Sequence, residues 1–282
     1  MAITILDGPV GTELNARGLD TPAPLWSAAA LRDRPDLVAQ IHRDYATAGA
    51  HVHTANTFRT TRRAAGESYR ELVDIAVQLA RSAMQPGSRL AGSIAPLEDC
   101  YRPDLSPADP GPEHASLATA LAPGCDLLLC ETFPHVGEAL AAIEAALATG
   151  REVWASFTPG YLADLMTPAE VGAAARRAAQ LGATAVLVNC VPAVRTLDYV
   201  RAIADSGIAA DGVAFGAYAN AGHPTDGLGW ESTDAAAGGA ARYADLAATW
   251  IDAGATIIGS CCGTSPAATA ELVRRFGGSA PR

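Results

Sequence analysis

Short apolar, β-branched runs alternate along the chain with longer Ala-rich stretches of helical character. The short runs predict strands at Ile3–Leu6, His51–Ala55, Leu90–Ile94, Leu127–Cys130, Val153–Phe157, Ala185–Val188, Val213–Ala217 and Thr256–Ile258. The longer stretches predict helices at Pro35–Ala48, Tyr69–Met84, Glu113–Ala120, Val136–Thr149, Pro168–Leu181, Val194–Asp205, Ala241–Ala253 and Pro266–Phe276. Gly49, Gly182 and Gly254 follow three of these stretches and act as stop signals ahead of the next strand. Pro35, Pro168 and Pro266 stand where a first helical turn tolerates proline. Strict alternation implies a parallel sheet, and a count of eight strands closes it, so the pattern predicts a single (β/α)8 TIM barrel over residues 1–282. An open doubly wound sheet would stop at fewer strands and carry a Gly-rich GxGxxG turn, which Gly8-Pro9-Val10-Gly11-Thr12 is not. Tyr101–Pro112 and Tyr218–Gly239 read as long irregular loops.

Charge narrows the possibilities. Twenty basic residues against thirty acidic ones leave a net −10, which argues against nucleic acid or an anionic membrane as partner. All twenty basic residues are Arg. Without a Lys the chain cannot form a Schiff base, hold pyridoxal phosphate covalently or build a P-loop. No apolar run reaches the roughly 18 residues of a membrane span. The N-terminal segment lacks a basic region and a cleavage pattern, so a cytoplasmic protein with reduced thiols is expected. Six cysteines in a chain of this size do not suggest a disulfide framework, and clustered ones point to metal binding or catalysis.

In such a barrel the active site lies at the carboxyl ends of the strands. The polar residues there are Asp7, Asn56, Thr57, Glu131, Thr132, Asn189, Cys190, Asn220, Cys261 and Cys262. Neighbouring side chains of a strand point to opposite faces, so Cys261 and Cys262 share a ligand only if the backbone turns between them. Gly259 and Gly263 flank the pair and permit that turn. With Cys190 from strand six, three sulfurs can then meet at one metal and leave a fourth position open, the pattern of a catalytic zinc. On spacing alone, buried free thiols or a vicinal disulfide fit equally well. Asp7 can equally cap a turn, Glu131 can serve as a helix N-terminal acid, and Asn56 and Asn220 can bind loop backbone. Cys100 and Cys125 read as incidental, and Cys130 as a buried strand thiol. His51 and His53 have no partner at metal-ligand spacing and fall near the start of strand two, the wrong end of the barrel. Trp26 and Trp230 read as core or surface aromatics, or as candidate faces for a cationic ligand.

These residues resemble the zinc-dependent homocysteine S-methyltransferases, a family that includes betaine- and S-methylmethionine-using enzymes and the homocysteine domain of methionine synthase. The likeness runs from LDGPVGTEL at Leu6–Leu14 through ANTFRTT, ETFPHVGEA, VNC and ANAG to GSCCGTSP at Gly259–Pro266, in family order. It implies a (β/α)8 barrel, Zn2+ on Cys190, Cys261 and Cys262, and binding of the amino-acid part of homocysteine by Asp7, Gly8 and Glu131. It places Asn220 at the Asn of the family's PN-x-G segment. With Asn56 and Trp26, these residues complete the expected substrate site. The implied reaction is transfer of a methyl group from a small onium donor, S-methylmethionine first and S-adenosylmethionine next, to the zinc-bound thiolate of homocysteine, giving methionine. Methylation from a separate corrinoid protein, another thiol or selenol acceptor, and a non-catalytic zinc- or thiol-binding barrel are the alternatives. Two positions depart from the family pattern. Pro9 removes a backbone donor beside Asp7, and Ala219 replaces the proline before Asn220.

Overall fold

The structure is a computed structural model, and it describes residues 2–230 and 233–278. Among the described residues there are eight strands: β1 (Thr4–Ile5), β2 (Val52–Thr54), β3 (Arg89–Ile94), β4 (Leu127–Phe133), β5 (Glu152–Phe157), β6 (Ala185–Pro192), β7 (Ala214–Asn220) and β8 (Ile257–Ser260). Helices α1 (Val10–Ala16), α2 (Ala30–Asp33) and α3 (Pro35–Ala48) separate β1 from β2, and α4 (Arg62–Ala65) and α5 (Tyr69–Ala83) lead to β3. After β3 comes one helix per strand: α6 (Gly111–Leu121), α7 (Val136–Leu147), α8 (Pro168–Leu181), α9 (Thr196–Asp205), α10 (Thr233–Asp252) and α11 (Pro266–Phe276). The strands are all parallel, in the order β1-β8-β7-β6-β5-β4-β3-β2. The seam between β1 and β2 is closed by a Leu6–Val52 bridge, with Asp7 N–H donating to the Val52 carbonyl at 2.9 Å and His51 N–H to the Ile5 carbonyl at 2.8 Å. The sheet is therefore a (β/α)8 barrel.

Alternation along the strands sorts side chains into two cores. Leu6, Val52, Leu127, Leu129, Leu187 and Ile257 fill the interior. Ile5, Ile94, Leu128, Val153, Val186 and Ile258 point outward and pack under the helices. Local signals agree with these placements. Thr167 caps α8 with a reciprocal Glu170 contact, Pro168 opens that helix, and Gly49 closes α3 at φ 92°. Among the described residues no helix is long and apolar enough to cross a membrane.

The strands that carry the site outrun the apolar runs at their carboxyl ends. β4 continues through Glu131 to Phe133, β6 through Cys190 to Pro192, and β7 through Asn220. Register shifts interrupt β4 against β5 between Cys130 and Phe133, and β6 against β7 between Asn189 and Pro192. Inside these two bulges Thr132 (φ 64°) and Cys190 (φ 49°) take left-handed conformations, which re-aim the side chains around them. Helix α1 follows β1 almost at once where the hydrophobic pattern predicted none, because Gly11 and Asn15 weaken its helical signal. Helix α10 starts at Thr233, inside the stretch expected to be irregular; residues 231 and 232 lie outside the described residues.

Candidate active site

The three cysteines converge. The Sγ atoms of Cys190, Cys261 and Cys262 all lie within 4.8 Å of one another, with Cys261 and Cys262 4.0 Å apart and all six cysteines free. Tetrahedral coordination with metal–sulfur bonds of about 2.3 Å needs sulfurs about 3.8 Å apart, so the thiols fit a borderline-soft divalent ion and do not form a vicinal disulfide. The chain leaves β8 at Ser260, and the turn that brings both sulfurs to one side is pinned by its backbone. Cys261 N–H donates to the Ala219 carbonyl at 2.8 Å, and the Cys262 carbonyl accepts from Ala221 N–H at 2.9 Å. The flanking glycines divide the work differently from the sequence reading. Gly263 supplies the left-handed residue (φ 80°), whereas Gly259 lies in the strand, where a Cβ would stand 2.8 Å from Leu6 Cβ.

Proton sharing follows from this crowding. Cys262 is held well below the ordinary thiol range because Cys190 and Cys261 both hydrogen-bond to it. Cys190 is pushed well up by its bonds to Cys261 and Cys262 and by burial. For Cys261 the contact from Cys190 lowers its value, but its bond to Cys262 and burial outweigh that and the net direction is up. Of the three, Cys262 is therefore the thiol most ready to give up its proton.

A cavity of about 250 Å³ opens over the sulfurs. Asp7, Gly8, Pro9, Trp26, Phe58, Tyr101, Glu131 and Tyr218 contribute to its wall. Among the described residues, no Arg or His lines it. Glu131 is held at both oxygens: Ser93 Oγ donates at 2.5 Å and the Tyr218 hydroxyl at 2.9 Å. Thr54 N–H donates to Asp7 Oδ2 at 2.9 Å. Burial pushes the Asp7 carboxyl up to about 8, offset in part by Thr54 and reinforced by Glu131. Burial likewise raises Glu131 against the bonds from Ser93 and Tyr218. Two buried carboxyl groups that face each other with no cation of the protein's own form a place for an external one.

Gly8 is there for space: a Cβ would lie 2.7 Å from the Tyr45 ring. Trp26 (φ 47°) stacks on Phe58 with centroids 5.9 Å apart, and Arg59 Cζ lies 4.3 Å from the Trp26 centroid. Pro9 sits at the N-cap of α1, a position whose own N–H the helix does not use. Ala219 uses the N–H that a proline would lack, donating to the Tyr243 hydroxyl at 3.1 Å.

Other expected residues lie elsewhere. Asn56 is spent on the loop, accepting from Ser27 Oγ at 2.6 Å and donating to the Ser27 carbonyl at 2.9 Å, and it does not line the cavity. Asn220 Oδ1 accepts from Gly222 N–H at 2.8 Å and also stays out of the cavity wall. Trp230 is 54% exposed, covers Gly263 and donates to the Gly222 carbonyl at 3.0 Å. Cys100, read as incidental, lines the cavity, while Cys130 is buried in the outer core. His53 is corrected most. It is fully buried beside Asp7, its Nδ1 3.8 Å from Asp7 Oδ2, because β2 spans three residues and has no remote end. Sequence reading missed Ser93 and Tyr218, and it placed Asn189 at a strand end without giving it a role. Asn189 Oδ1 accepts from Ser156 Oγ at 2.8 Å and Nδ2 donates to Thr132 Oγ1 at 2.7 Å, tying the two bulges together. The available signal was a polar residue at the end of an apolar strand, and for Ser93 and Tyr218 the apolar neighbours masked it.

The chain is similar to known proteins along nearly its whole length. A family model described as homocysteine S-methyltransferase matches residues 4–276. The homocysteine S-methyltransferase of Escherichia coli is 31% identical, the alignment covering 97% of this chain and 95% of that protein. Homocysteine S-methyltransferase YbgG of Bacillus subtilis is 27% identical over 96% of this chain and 93% of its own length. The crystal structure of the homocysteine methyltransferase MmuM from Escherichia coli, in its metallated form, superposes with a TM-score of 0.78 at 27% identity and covers 98% of this chain and 96% of that one.

Proposed function

Since the chain belongs to the homocysteine S-methyltransferase family, we propose that it moves a methyl group from a small onium donor to the sulfur of homocysteine, with Zn2+ held by Cys190, Cys261 and Cys262. One observation carries this reading. A single cavity presents three clustered thiols and two buried carboxyl groups, and among the described residues no cation of the protein lines it. An amino-acid thiol matches both features at once, its ammonium toward the carboxyls and its sulfur toward the cysteines.

Zn2+ bound by three thiolates supplies the Lewis acidity that deprotonates a substrate thiol near neutral pH. The protein's residues do the rest. Asp7 and Glu131 take the ammonium through charge-assisted hydrogen bonds, and its charge returns both carboxyls to their ionised forms. The hydroxyls of Ser93 and Tyr218 fix the Glu131 carboxylate, and burial keeps Tyr218 protonated so that it remains a donor. Trp26 and Phe58 give the cavity an apolar, aromatic wall suited to a sulfonium. Methyl transfer is then an in-line displacement. The acceptor sulfur forms a bond to the methyl carbon as the donor sulfur departs with its electron pair, and both products are neutral thioethers. S-methylmethionine is the leading donor. S-adenosylmethionine comes next.

Mass-spectrometric detection of methionine from metal-loaded protein, skeleton-labelled homocysteine and methyl-labelled S-methylmethionine tests the proposal. Methionine that carries both labels, formed without any protein partner, supports acceptor and donor together; the second label on the skeleton separates it from the methionine left when the donor loses its methyl group. No doubly labelled product with metal confirmed in the site overturns the donor assignment, and activity that needs methylcobalamin transfers it to a corrinoid protein.

A further inference from the structure

Beneath the Asp7–Gly8 corner lies a second group of potential ligands that the methyl-transfer reading leaves unused. His42 comes from α3, His53 from β2, and Asp7 from the end of β1. Both imidazoles are fully buried, and Asp7 is 4% exposed. One ligand atom from each lies within 4.8 Å of the other two. None of the four imidazole nitrogens has a hydrogen-bond partner among the described residues. Buried polar atoms are nearly always satisfied, so a pair of imidazoles with every nitrogen open points to a group that takes their lone pairs. Asp7 offers a carboxyl oxygen, and among the described residues no Arg forms an ion pair with it. Two imidazole nitrogens and one carboxylate are the donor set that suits a first-row divalent transition metal, with bonds of about 2.0–2.2 Å.

We propose that Asp7, His42 and His53 form a second metal site, separate from the three-cysteine site, that takes a first-row divalent cation such as Zn2+ or Co2+. The ion ties α3 to the β1–β2 seam. Because Asp7 also lines the substrate cavity, the ion fixes that carboxylate from behind.

Metal counting on the full-length protein tests this. The wild type is expected to hold about two divalent ions per chain, and His53→Leu about one. The triple variant Cys190→Ser, Cys261→Ser, Cys262→Ser, loaded with Co2+, is expected to keep about one ion, with visible d–d bands and no thiolate charge-transfer band. If these variants fail to fold, X-ray absorption on the wild-type zinc protein decides. Mixed sulfur and nitrogen/oxygen shells at two ions per chain support the site; a sulfur-dominated shell at one ion overturns it. A folded triple variant that binds no Co2+ also overturns it, as does His53→Leu with unchanged metal content. Two ions without methyl transfer would sink only the proposed reaction, and normal turnover with one ion would sink only the second site.

Discussion

Replacing Glu131 isolates the proposed ammonium contact. In Glu131→Gln the side chain keeps its shape and loses its charge. The Gln oxygen can still accept from one of Ser93 and Tyr218, and the other hydroxyl rotates to accept from the new amide N–H. A hydrogen bond to a charged group contributes about 1.5–3 kcal/mol. At about 1.4 kcal/mol per tenfold, its loss raises the homocysteine KM roughly 10- to 150-fold. The ammonium is remote from the sulfur that reacts, so kcat falls much less than KM rises. Glu131→Ala separates binding from scaffolding. It leaves two buried hydroxyls without their acceptor, at about 1–3 kcal/mol each. With about 2–4 °C of Tm per kcal/mol, that variant melts roughly 5–20 °C lower, whereas Glu131→Gln stays within a few degrees of the wild type. Steady-state kinetics on metal-verified protein, with calorimetric melting alongside, reads both effects. A folded, metal-loaded Glu131→Gln protein whose homocysteine KM stays within twofold of the wild type would falsify the ammonium assignment.

Three further outcomes follow from the geometry. Cys261→Ser should lose the ion at the three-thiol site, because a serine oxygen replaces thiolate poorly; competition with a chromophoric chelator measures this, and unchanged affinity removes Cys261 from the ligand set. Metal uptake should release protons, since coordination needs thiolates while mutual hydrogen bonding and burial hold Cys190 and Cys261 above the usual thiol range. Affinity therefore climbs as pH rises toward the thiols' range, and titration calorimetry in two buffers of different ionisation enthalpy counts the protons. A pH-independent affinity contradicts this proton release. Gly8→Ala should destabilise the fold by about 1–3 kcal/mol through overpacking; the new Cβ would lie 2.7 Å from the buried Tyr45 ring. A melting temperature at or above that of the wild type contradicts that clash.

What could be read from the sequence was set by how local each signal is. All eight strands left an apolar run, because a barrel strand is covered on both faces and its residues declare this within four or five positions. The strand ends did not, since Glu131, Cys190 and Asn220 are held in β4, β6 and β7 by ladder contacts that no apolar pattern records. Helix α1 was lost for a related reason, its short span containing Gly11 and Asn15. Among the site residues, the adjacent Cys261 and Cys262 announced themselves. Asn56 and Asn220 looked equally polar at strand ends, yet their amides serve Ser27 and Gly222. An amide or carboxylate at a strand end is ambiguous until the loop that would consume it is in place. His53 shows the converse. Its partners are His42, eleven positions back on α3, and Asp7 on the neighbouring strand, and no spacing rule connects residues brought together by closing the barrel seam.

The two bulges explain how a regular barrel rim becomes a reactive one. Continued as an ideal strand, β6 would alternate strictly between the barrel interior and the helices. The left-handed Cys190 breaks that alternation, and the left-handed Thr132 does the same in β4 beside Glu131. Non-glycine residues in this region cost of order 1–3 kcal/mol each, so something must hold them. Asn189 is placed to do so. Its side chain spans the gap from β6 to Thr132 on β4, with Ser156 of β5 bonded between them. This buried bracket links the strand bearing a thiol to the strand bearing a carboxylate, across the strand that separates them. The spacing between the sulfur cluster and Glu131 therefore depends on one amide. Asn189→Ala should disturb metal affinity and homocysteine KM together, whereas Glu131→Gln moves KM alone. If Asn189→Ala leaves both unchanged, the strained backbone is held by the barrel itself and the bracket is incidental.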